Sequence, residues 1–512
     1  MKKMLALVSF ALSVPIVAKG VEFQTPGAVG MGGAGVARNN GSLTSYWNPA
    51  GGAFNVAPFA LSAGIGAGVK ASDGLAENVD RFSNINFTNV QSFNTTTSTA
   101  DNVGDVVKTL SIINDIDARK GNMAVTGFAP ISMTSKRFSF GLFGTMEGYV
   151  QPTADILNVL PNNSVTAVAI RTADLSNALG GTPYTDPNYF SATDRTTLIT
   201  AIKASDATLT LIQATTLADA IGTKLLTSGI PATTVLSTMT DIALPALAGG
   251  GTTTLDKNTT SVLTKAVQYI EVPISYGHPV NVGSKGKLGL GITGKIISGT
   301  VYQNQVLLVN RTGNNLTAQD LLNDITQNKK SSMTFGIDLG ALYKYNKAVT
   351  IGIVGKNLNS PKLAAPDYFV PAANDPVPAH AISTPGTEVE LKPQIRAGIA
   401  VEPVTWMTFA ADLDLKENDT VAPGSVVGSA QKSRNFGGGF EFKPASWLKL
   451  RGGAYKNLAA SAGGNVLTAG FKLFLLDVDG AFATDSFTMN VNGTDQQIPK
   501  EVRVSAGMSF SF

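Results

Sequence analysis

The 512-residue chain contains no cysteine and only two histidines. The lack of cysteine excludes a disulfide framework, a thiol nucleophile and a cysteine-ligated metal site. A Ser-His-Asp site would require His278 or His380 beside a serine, but the local sequence places the first in a short turn and the second in a long loop. We therefore predict that the protein is not an enzyme and carries no cofactor and no metal ion.

Charged residues and long apolar runs are also scarce. Asp, Glu, Lys and Arg make up 15% of the chain and the net charge is +3, which gives no reason to expect nucleic acid as a partner. The apolar run at residues 4–17 is shorter than the ~20 residues of a membrane-spanning helix. It follows Lys2 and Lys3 and precedes Ala-Lys-Gly, so residues 1–20 are predicted to be a secretory signal peptide that is cleaved before Val21.

Alternation of apolar and polar residues is abundant, and the end of the chain shows it most clearly. Every second residue of 501–512 is apolar, beginning with Val502, and the residues between them are polar or glycine. A one-faced strand with a terminal aromatic residue is typical of the closing strand of a bacterial outer-membrane β-barrel. An edge strand of a soluble sheet is the alternative. We expect the outer-membrane assembly machinery to bind this strand, which ends at Phe512.

The same period-two pattern, bounded by turn residues, predicts about fourteen strands. Each is close to the ~9 to 11 residues that a tilted strand needs to cross a bilayer, and bacterial single-chain barrels have an even count. Connections after even-numbered strands are short and most of the others are long, which matches periplasmic turns and extracellular loops. The predicted strands lie near residues 56–70, 122–134, 137–150, 265–277, 287–302, 333–345, 348–357, 393–402, 405–416, 432–443, 447–456, 464–474, 476–484 and 500–512.

Within the predicted strands, charged residues fall on one parity. In 405–416 the apolar residues would face lipid, while Asp412 and Asp414 would face the lumen. A charge that faces lipid at the midplane costs about 2 to 4 kcal/mol, so we expect the charges to line the inside. Trp406 and Trp447 follow two tight turns, where an interfacial aromatic belt would lie. Buried tryptophans of a soluble core are the alternative interpretation.

Residues 151–264 break the strand pattern. Apolar residues recur at three-to-four spacing across 198–225, which predicts helices, and Pro231 and Pro245 interrupt them. Three interpretations of this extracellular insertion remain open: a cap that presents apolar surface to a ligand, an adhesive or partner-binding element, or a surface unit packed on itself without a ligand role. A smaller helix is predicted at 103–116.

The segment before the first predicted strand is rich in small residues and contains the motif Asn48-Pro49-Ala50-Gly51. With about fourteen strands and an aromatic C-terminus, the chain resembles the FadL-like outer-membrane transporters of long-chain fatty acids and aromatic hydrocarbons. The phrase Gly-Lys-Asn-Leu-Asn-Ser-Pro at 355–361 looks more like the branch of that superfamily named for conjugal-transfer TraF.

The resemblance implies that residues 21–55 fold into the barrel as a hatch that plugs it. It also implies that extracellular loops capture a ligand, which moves through a hydrophobic pocket and leaves sideways through a gap in the wall. Pro49 fixes its own φ and restricts Asn48, and Gly51 allows a sharp entry into the first strand. The predicted fold is therefore an all-β transmembrane antiparallel barrel of about 14 strands over residues 56–512, with this hatch inside and a partly helical extracellular insertion.

Four predicted lumenal cations are candidates for attracting a carboxylate head group: Arg396, Lys449, Arg451 and Arg503. The alternative is that they form internal salt bridges with acidic residues, because a polar barrel interior needs paired charges. The candidate acidic partners are Asp338, Asp412, Glu441, Asp477 and Asp479.

The sequence thus predicts passive uptake of hydrophobic molecules through the outer membrane of a Gram-negative bacterium, with membrane lipid and a hydrophobic ligand as partners. The alternative is a TraF-like surface or structural protein that serves conjugation, adhesion or partner binding without transport. An apolar lumen pocket would favour uptake, whereas a filled lumen without a wall opening would favour the alternative. A general diffusion porin comes third, because a hatch would obstruct aqueous flow.

Overall fold

The structure is a computed structural model of the chain. The predicted signal peptide, His380 and Phe512 lie outside the residues that it describes. The described residues are 21–38, 41–55, 57–72, 74–75, 77–78, 81, 85, 90, 100–159, 171–180, 182–248, 257–282, 286–309, 326–371, 381–386, 388–422, 432–459, 464–491 and 494–511.

Fourteen antiparallel strands close into one barrel, and they coincide with the fourteen strands predicted from alternation. Around the ring, each barrel strand pairs with the next barrel strand along the chain, and the last pairs with the first. The predicted fold class is confirmed. The barrel strands are β1 Phe59–Ala71, β2 Met123–Ser135, β3 Phe138–Thr153, β4 Ser261–Asn281, β5 Lys287–Leu307, β6 Lys329–Lys344, β7 Val349–Lys356, β12 Gln394–Val404, β13 Met407–Asp414, β16 Asn435–Ala445, β17 Leu448–Asn457, β18 Val466–Leu473, β19 Leu476–Ala483 and β22 Glu501–Ser511.

In the part of the chain that the structure describes, four short two-stranded sheets lie outside the ring, in the long connections. They pair β8 Lys362–Leu363 with β11 Val389–Glu390, β9 Tyr368–Val370 with β10 Ile382–Thr384, β14 Asn418–Asp419 with β15 Lys432–Ser433, and β20 Ser486–Val491 with β21 Thr494–Pro499.

The first and last barrel strands close the ring, in a register that runs from Ala60 opposite Ser511 to Lys70 opposite Glu501. The strands differ in length, since β4 and β5 pair over 21 residues whereas β7 has 8. A strand of 21 residues exceeds the ~9 to 11 needed to cross a bilayer, so one side of the barrel extends beyond the membrane.

The outer and inner faces of the barrel differ in chemistry. Outward side chains are apolar and exposed, for example Ile65 at 65%, Ile292 at 51% and Val504 at 58%. Trp406 and Trp447 are about half exposed at the short turns, where they contact Phe442 and Phe474 respectively, as an interfacial belt requires. Charged residues such as Asp412 and Arg451 are buried on the inner face. This apolar outer surface suits a bilayer.

The helices lie in the connections at the end of the barrel opposite the short turns, and the predicted helical insertion is confirmed. Thr210 begins one of them with a capping box, since its hydroxyl accepts from the Gln213 N–H and the Gln213 side chain accepts from the Thr210 N–H. No helix in the described part of the chain is both long and apolar enough to cross a membrane. The helices of these connections are Ala100–Arg119, Thr172–Asn177, Ala192–Ser205, Leu211–Leu225, Ala232–Ser237 and Leu244–Ala248, with a π-helical turn at Thr238–Ala243.

One turn was placed wrongly by sequence. His278 is part of β4, opposite Leu290, and not part of the following turn. The alternation continues through Pro279, which lacks an N–H but is still accommodated opposite Gly289 near the rim. The turn itself comes after Asn281.

Candidate functional site

The N-terminal segment, residues 21–55, lies inside the barrel and contacts the wall on several sides. Its first 3-10 turn, Val29–Met31, packs against β16 to β19 and β22. A second, Gly41–Leu43, contacts β1 and β2, and a third, Pro49–Phe54, contacts β3 to β6. The short helix Thr44–Trp47 joins the second to the third. The segment therefore crosses the lumen from one side of the wall to the other.

The motif Asn48-Pro49-Ala50-Gly51 forms the start of the third turn. The Asn48 side chain accepts from the Ala50 N–H at 3.0 Å, and Pro49 occupies the first helical position, where no N–H is needed. The Gly51 N–H donates to the Asn48 carbonyl at 2.9 Å. The other end of the Asn48 amide donates to the carbonyls of Ala341 in β6 and Ile353 in β7. Asn48 thus caps the turn and attaches it to the wall.

Glycines on the inner face make room for the N-terminal segment. A Cβ on Gly277, Gly289 or Gly291 would overlap the backbone of Pro49–Phe54, and one on Gly340 would overlap the Asn48 side chain. A second patch, formed by Gly437, Gly439 and Gly453, lies against Met31 and Gly32 in the same way. The sequence motifs do not mark these positions, although glycine at alternate inward positions, as in 289/291 and 437/439, is a signal for them.

Ion pairs attach the N-terminal segment to distant strands. Glu22 contacts Lys70 of β1 at 2.8 Å and Arg503 of β22 at 3.0 Å. Arg38 contacts Glu441 of β16 at 3.1 Å. Burial raises the pKa of the Glu22 carboxyl, but the positive charges of Arg503 and Lys70 lower it more, and the pKa lies well below its usual range.

An aromatic cluster holds the middle of the segment. Phe23, Tyr46 and Trp47 pack on one another, and Tyr46 contacts Phe143 of β3 at a ring-centroid distance of 5.1 Å. The Trp47 indole donates to the Pro26 carbonyl at 2.9 Å. Two wall cations lie over these rings, Lys356 Nζ 3.4 Å from the Tyr46 centroid and the Arg396 guanidinium 4.1 Å from that of Phe23. Such cation–π contacts help to stabilise buried cations.

All four candidate head-group cations lie on the inner face and contact carboxylates. Arg396 contacts Asp414 at 2.6 Å and is sealed from solvent, as is Arg503, which contacts Glu501 at 2.6 Å besides Glu22. Lys449 lies 3.4 Å from Glu441 and keeps 31% of its side chain exposed. Arg451 contacts Glu441 at 2.9 Å and Asp479 at 3.1 Å, and also contacts Asp477.

One buried ion-pair cluster was not anticipated. Lys295 of β5 lies 2.8 Å from Glu271 of β4 and 3.0 Å from Asp338 of β6, and all three side chains are almost completely buried. Asp338 therefore pairs with Lys295 and not with one of the four candidate cations. The three residues belong to adjacent strands, and their contact depends on the strand register, which the sequence alone does not specify.

Toward the helical end, the inner wall becomes apolar. Tyr149, Val267, Ile297 and Val301 are buried and belong to one apolar cluster with side chains of the helices. Residues of the opposite parity near the strand ends, such as Val150, are buried in the same cluster. The helical insertion and the outer half of the lumen thus share a single hydrophobic core.

The barrel wall is a closed ring, because every strand of the ring pairs with both neighbours. The pairing of β1 with β2 is nevertheless interrupted between Ala63, opposite Ile131, and Gly66, opposite Phe128, while the register stays the same on both sides. Pro130 stands in this break and has no N–H to donate. A similar interruption in the pairing of β3 with β4 contains Pro273.

The chain is similar to several known proteins. No curated protein matches the sequence. The solved structures that it resembles include the Pseudomonas putida toluene transporter TodX, at 11% identity over 96% of this chain and 99% of that one, with a TM-score of 0.44. They also include the Ralstonia pickettii toluene transporter TbuX, at 12% identity over 97% and 99%, with a TM-score of 0.42. A Pseudomonas aeruginosa FadL homologue matches at 11% identity over 97% and 100%, with a TM-score of 0.42.

The family comparison is more specific, and it confirms the TraF-like resemblance. A family model described as "F plasmid transfer operon, TraF, protein" matches residues 45–414, which is more than two thirds of the chain. The match begins just before the Asn48 motif and ends at Asp414 in β13. The chain therefore belongs to the TraF family of F plasmid transfer operon proteins.

Proposed function

We propose that this protein is an outer-membrane channel for the passive uptake of hydrophobic molecules, such as long-chain fatty acids or aromatic hydrocarbons. The observation that carries the proposal is the apolar lining of the outer half of the lumen, where Tyr149, Val267, Ile297 and Val301 join the core of the helical insertion. A hydrophobic solute gains about 25 cal/mol for each Å² of apolar surface that it removes from water, so it would partition into such a region.

In this proposal the N-terminal segment is the plug. It extends through the lumen from Glu22, near the loop end of β1, to Pro49–Phe54, near the short turns, and is attached by ion pairs, the Asn48 contacts and the aromatic cluster. A polar solute would therefore meet a filled, charged layer, which argues against a general diffusion porin. The arrangement corresponds to a closed state, and a sideways exit would use one of these two interruptions of strand pairing, at Pro130 or at Pro273.

A second function is favoured by a different observation. The ring is closed and the lumen is filled, as expected for a structural or partner-binding protein that transports nothing. The matched family is named after a plasmid transfer operon, which suits a surface role in conjugation. The two candidates differ in whether hydrophobic solutes enter cells through the protein.

Uptake of radiolabelled oleate and toluene by Gram-negative cells that lack their own transporter separates the two candidates. We expect cells with the wild-type protein to take up at least one solute several-fold faster than cells with an empty vector. Ile297→Ser places a hydroxyl on the apolar inner wall and should reduce this uptake, whereas Ile296→Ser on the adjacent outward position should retain it. Equal uptake with and without a correctly assembled wild-type protein would reject transport and favour the structural role.

A further inference from the structure

A cavity of about 310 Å³ lies between the N-terminal segment and the wall near the short turns. Arg38, Ser42 and Leu43 border it from the segment, and β1, β17, β18, β19 and β22 border it from the wall. Its lining includes Ala60 and Ser511, which pair at the end of the barrel where β2 turns into β3. Water occupies about 30 Å³ per molecule, so the space has room for a hydrated polar group.

Among the described residues, positive charge exceeds negative charge around this cavity. Of these residues, five cations line it or contact its carboxylates, and they are Arg38, Lys443, Lys449, Arg451 and Lys472. Three described carboxylates belong to the same group, and they are Glu441, Asp477 and Asp479. Clefts with an excess of one charge concentrate ions of the opposite charge.

The contacts show how the excess arises. Glu441 by itself contacts Arg38 at 3.1 Å, Lys443 at 3.3 Å, Lys449 at 3.4 Å and Arg451 at 2.9 Å. Asp477 and Asp479 both contact Arg451. Asp477 and Asp479 thus contact a cation that Glu441 already contacts. Lys443 and Lys449 share a single carboxylate oxygen, Oε1 of Glu441.

Lys472 adds to this arrangement through a neutral partner. Its ammonium donates to the Ser509 hydroxyl, which leaves the hydroxyl proton of Ser509 able to donate into the cavity. Lys449 and Lys443 each keep 31% of the side chain exposed, so the cations are accessible from the short-turn side. Arg396 and Arg503, at 2% and 8%, are not.

We propose that this cavity binds a small oxyanion group, a carboxylate or a phosphate, that enters from the short-turn side of the barrel. Lys449, Lys472 and the Ser509 hydroxyl contact the anion, and Arg451 positions the carboxylates around it. Charge-assisted hydrogen bonds from ammonium groups to such oxygens are stronger than neutral ones. The source is either free phosphate or the head group of a transported acid, and only the second source rests on the proposed function.

Calorimetric titration of the purified full-length protein in non-ionic detergent tests the site, with inorganic phosphate and hexanoate as separate probes. We expect saturable one-to-one binding of at least one probe. Lys449→Gln with Lys472→Gln should weaken this binding at least tenfold, and Ser509→Ala several-fold. The matched control is Lys362→Gln with Lys432→Gln, which removes the same charge from two lysines that are more than half exposed and pair with Glu388 and Glu417.

The outcomes are separable. Tighter binding of phosphate identifies a free phosphate or phosphate ester, and tighter binding of hexanoate identifies the head group of an acid. No saturable binding of either probe to the wild-type protein overturns the proposal, even if the variants fail to assemble. Equal weakening in the control also overturns it. Because binding is measured without transport, failure here leaves the uptake result standing, and failure of uptake leaves the anion site standing.

Discussion

The side-chain amide nitrogen of Asn48 lies 3.2 Å from the carbonyl oxygen of Ala341 and 3.2 Å from that of Ile353. Ala341 belongs to β6 and Ile353 to β7, and the two residues are paired in the register of the wall. One side chain of the N-terminal segment thus bridges two neighbouring strands of the barrel from within. Its amide also caps the turn that begins at Pro49.

Asn48→Ala is therefore expected to loosen the N-terminal segment. It removes buried hydrogen bonds worth about 1 kcal/mol each, for a total of about 2 to 4 kcal/mol. Trp47 is fully buried in the segment, so a background with Trp406→Phe and Trp447→Phe leaves it as the single fluorescent reporter. We expect Trp47 emission to shift to longer wavelength at a lower guanidinium concentration than in the parent.

Asn55→Ala is the control for this change, because the Asn55 side chain donates only an exposed bond to the Lys136 carbonyl. It should leave the Trp47 transition within about 0.5 kcal/mol of the parent. An Asn48→Ala protein with an unshifted transition would show that Asn48 does not hold the segment.

Gly291→Ala should displace the third turn of the segment. A Cβ at this position of β5 would overlap the backbone of Pro49 and Ala50, and overpacking of this kind costs about 1 to 3 kcal/mol or more. Gly294→Ala in the same strand meets nothing within 4 Å and serves as the control. Limited proteolysis should cut the segment faster in Gly291→Ala than in Gly294→Ala. Equal rates would contradict the conclusion that Gly291 makes room for the segment.

Acid should release the start of the segment through Glu22. Its pKa in the folded protein lies below the ordinary value of 4.5, because Arg503 and Lys70 outweigh burial. The ionised carboxylate therefore stabilises the folded state fully above about pH 4.5, and this stabilisation is lost as the pH falls further into acid. Trp47 emission should begin to shift in that range.

Glu22→Gln is the comparison for the pH titration, since it removes the titrating group but keeps the shape of the side chain. We expect its Trp47 transition to be weakened already at pH 7 and to change less on acidification than that of the parent. If both proteins respond identically to acid, the pH dependence arises from other carboxylates.

An arginine on the outer face should impair stability in lipid. Ile292 of β5 points outward at 51% exposure, and a charge at the bilayer midplane costs about 2 to 4 kcal/mol. Ile292→Arg should lower the folded fraction in lipid vesicles, measured by heat-dependent gel mobility. Leu458→Arg has a similar exposure, 48%, but lies beyond the end of β17, so it should fold as the parent does.

The sequence was sufficient for the strands because alternation with period two directly reports a wall with one apolar face. It was also sufficient for the parity of Asp412 and Asp414, which face inward as expected. It could not provide the contacts of the N-terminal segment. Arg38 and Glu441 are 403 positions apart, and Glu22 and Arg503 are 481 apart, so no local pattern connects them.

The glycines that make room for the N-terminal segment could not be predicted from the sequence, for a different physical reason. An inward glycine in a strand is compatible with a bulge, a bend or a close backbone approach, and only the packed partner distinguishes these. Gly291 and Gly437 acquire their role from Ala50 and Gly32, which come from the other end of the chain. The wall could thus be predicted strand by strand, whereas the fit of the segment required the closed ring.

The unequal strand lengths give the barrel a slanted rim. At about 3.3 Å per residue, the 21 residues of β4 and β5 extend roughly 70 Å along the strand, against roughly 26 Å for the 8 residues of β7. The helical insertion is attached between β3 and β4, on the tall side. The insertion is therefore attached to the wall where its strands reach furthest beyond the end of β7.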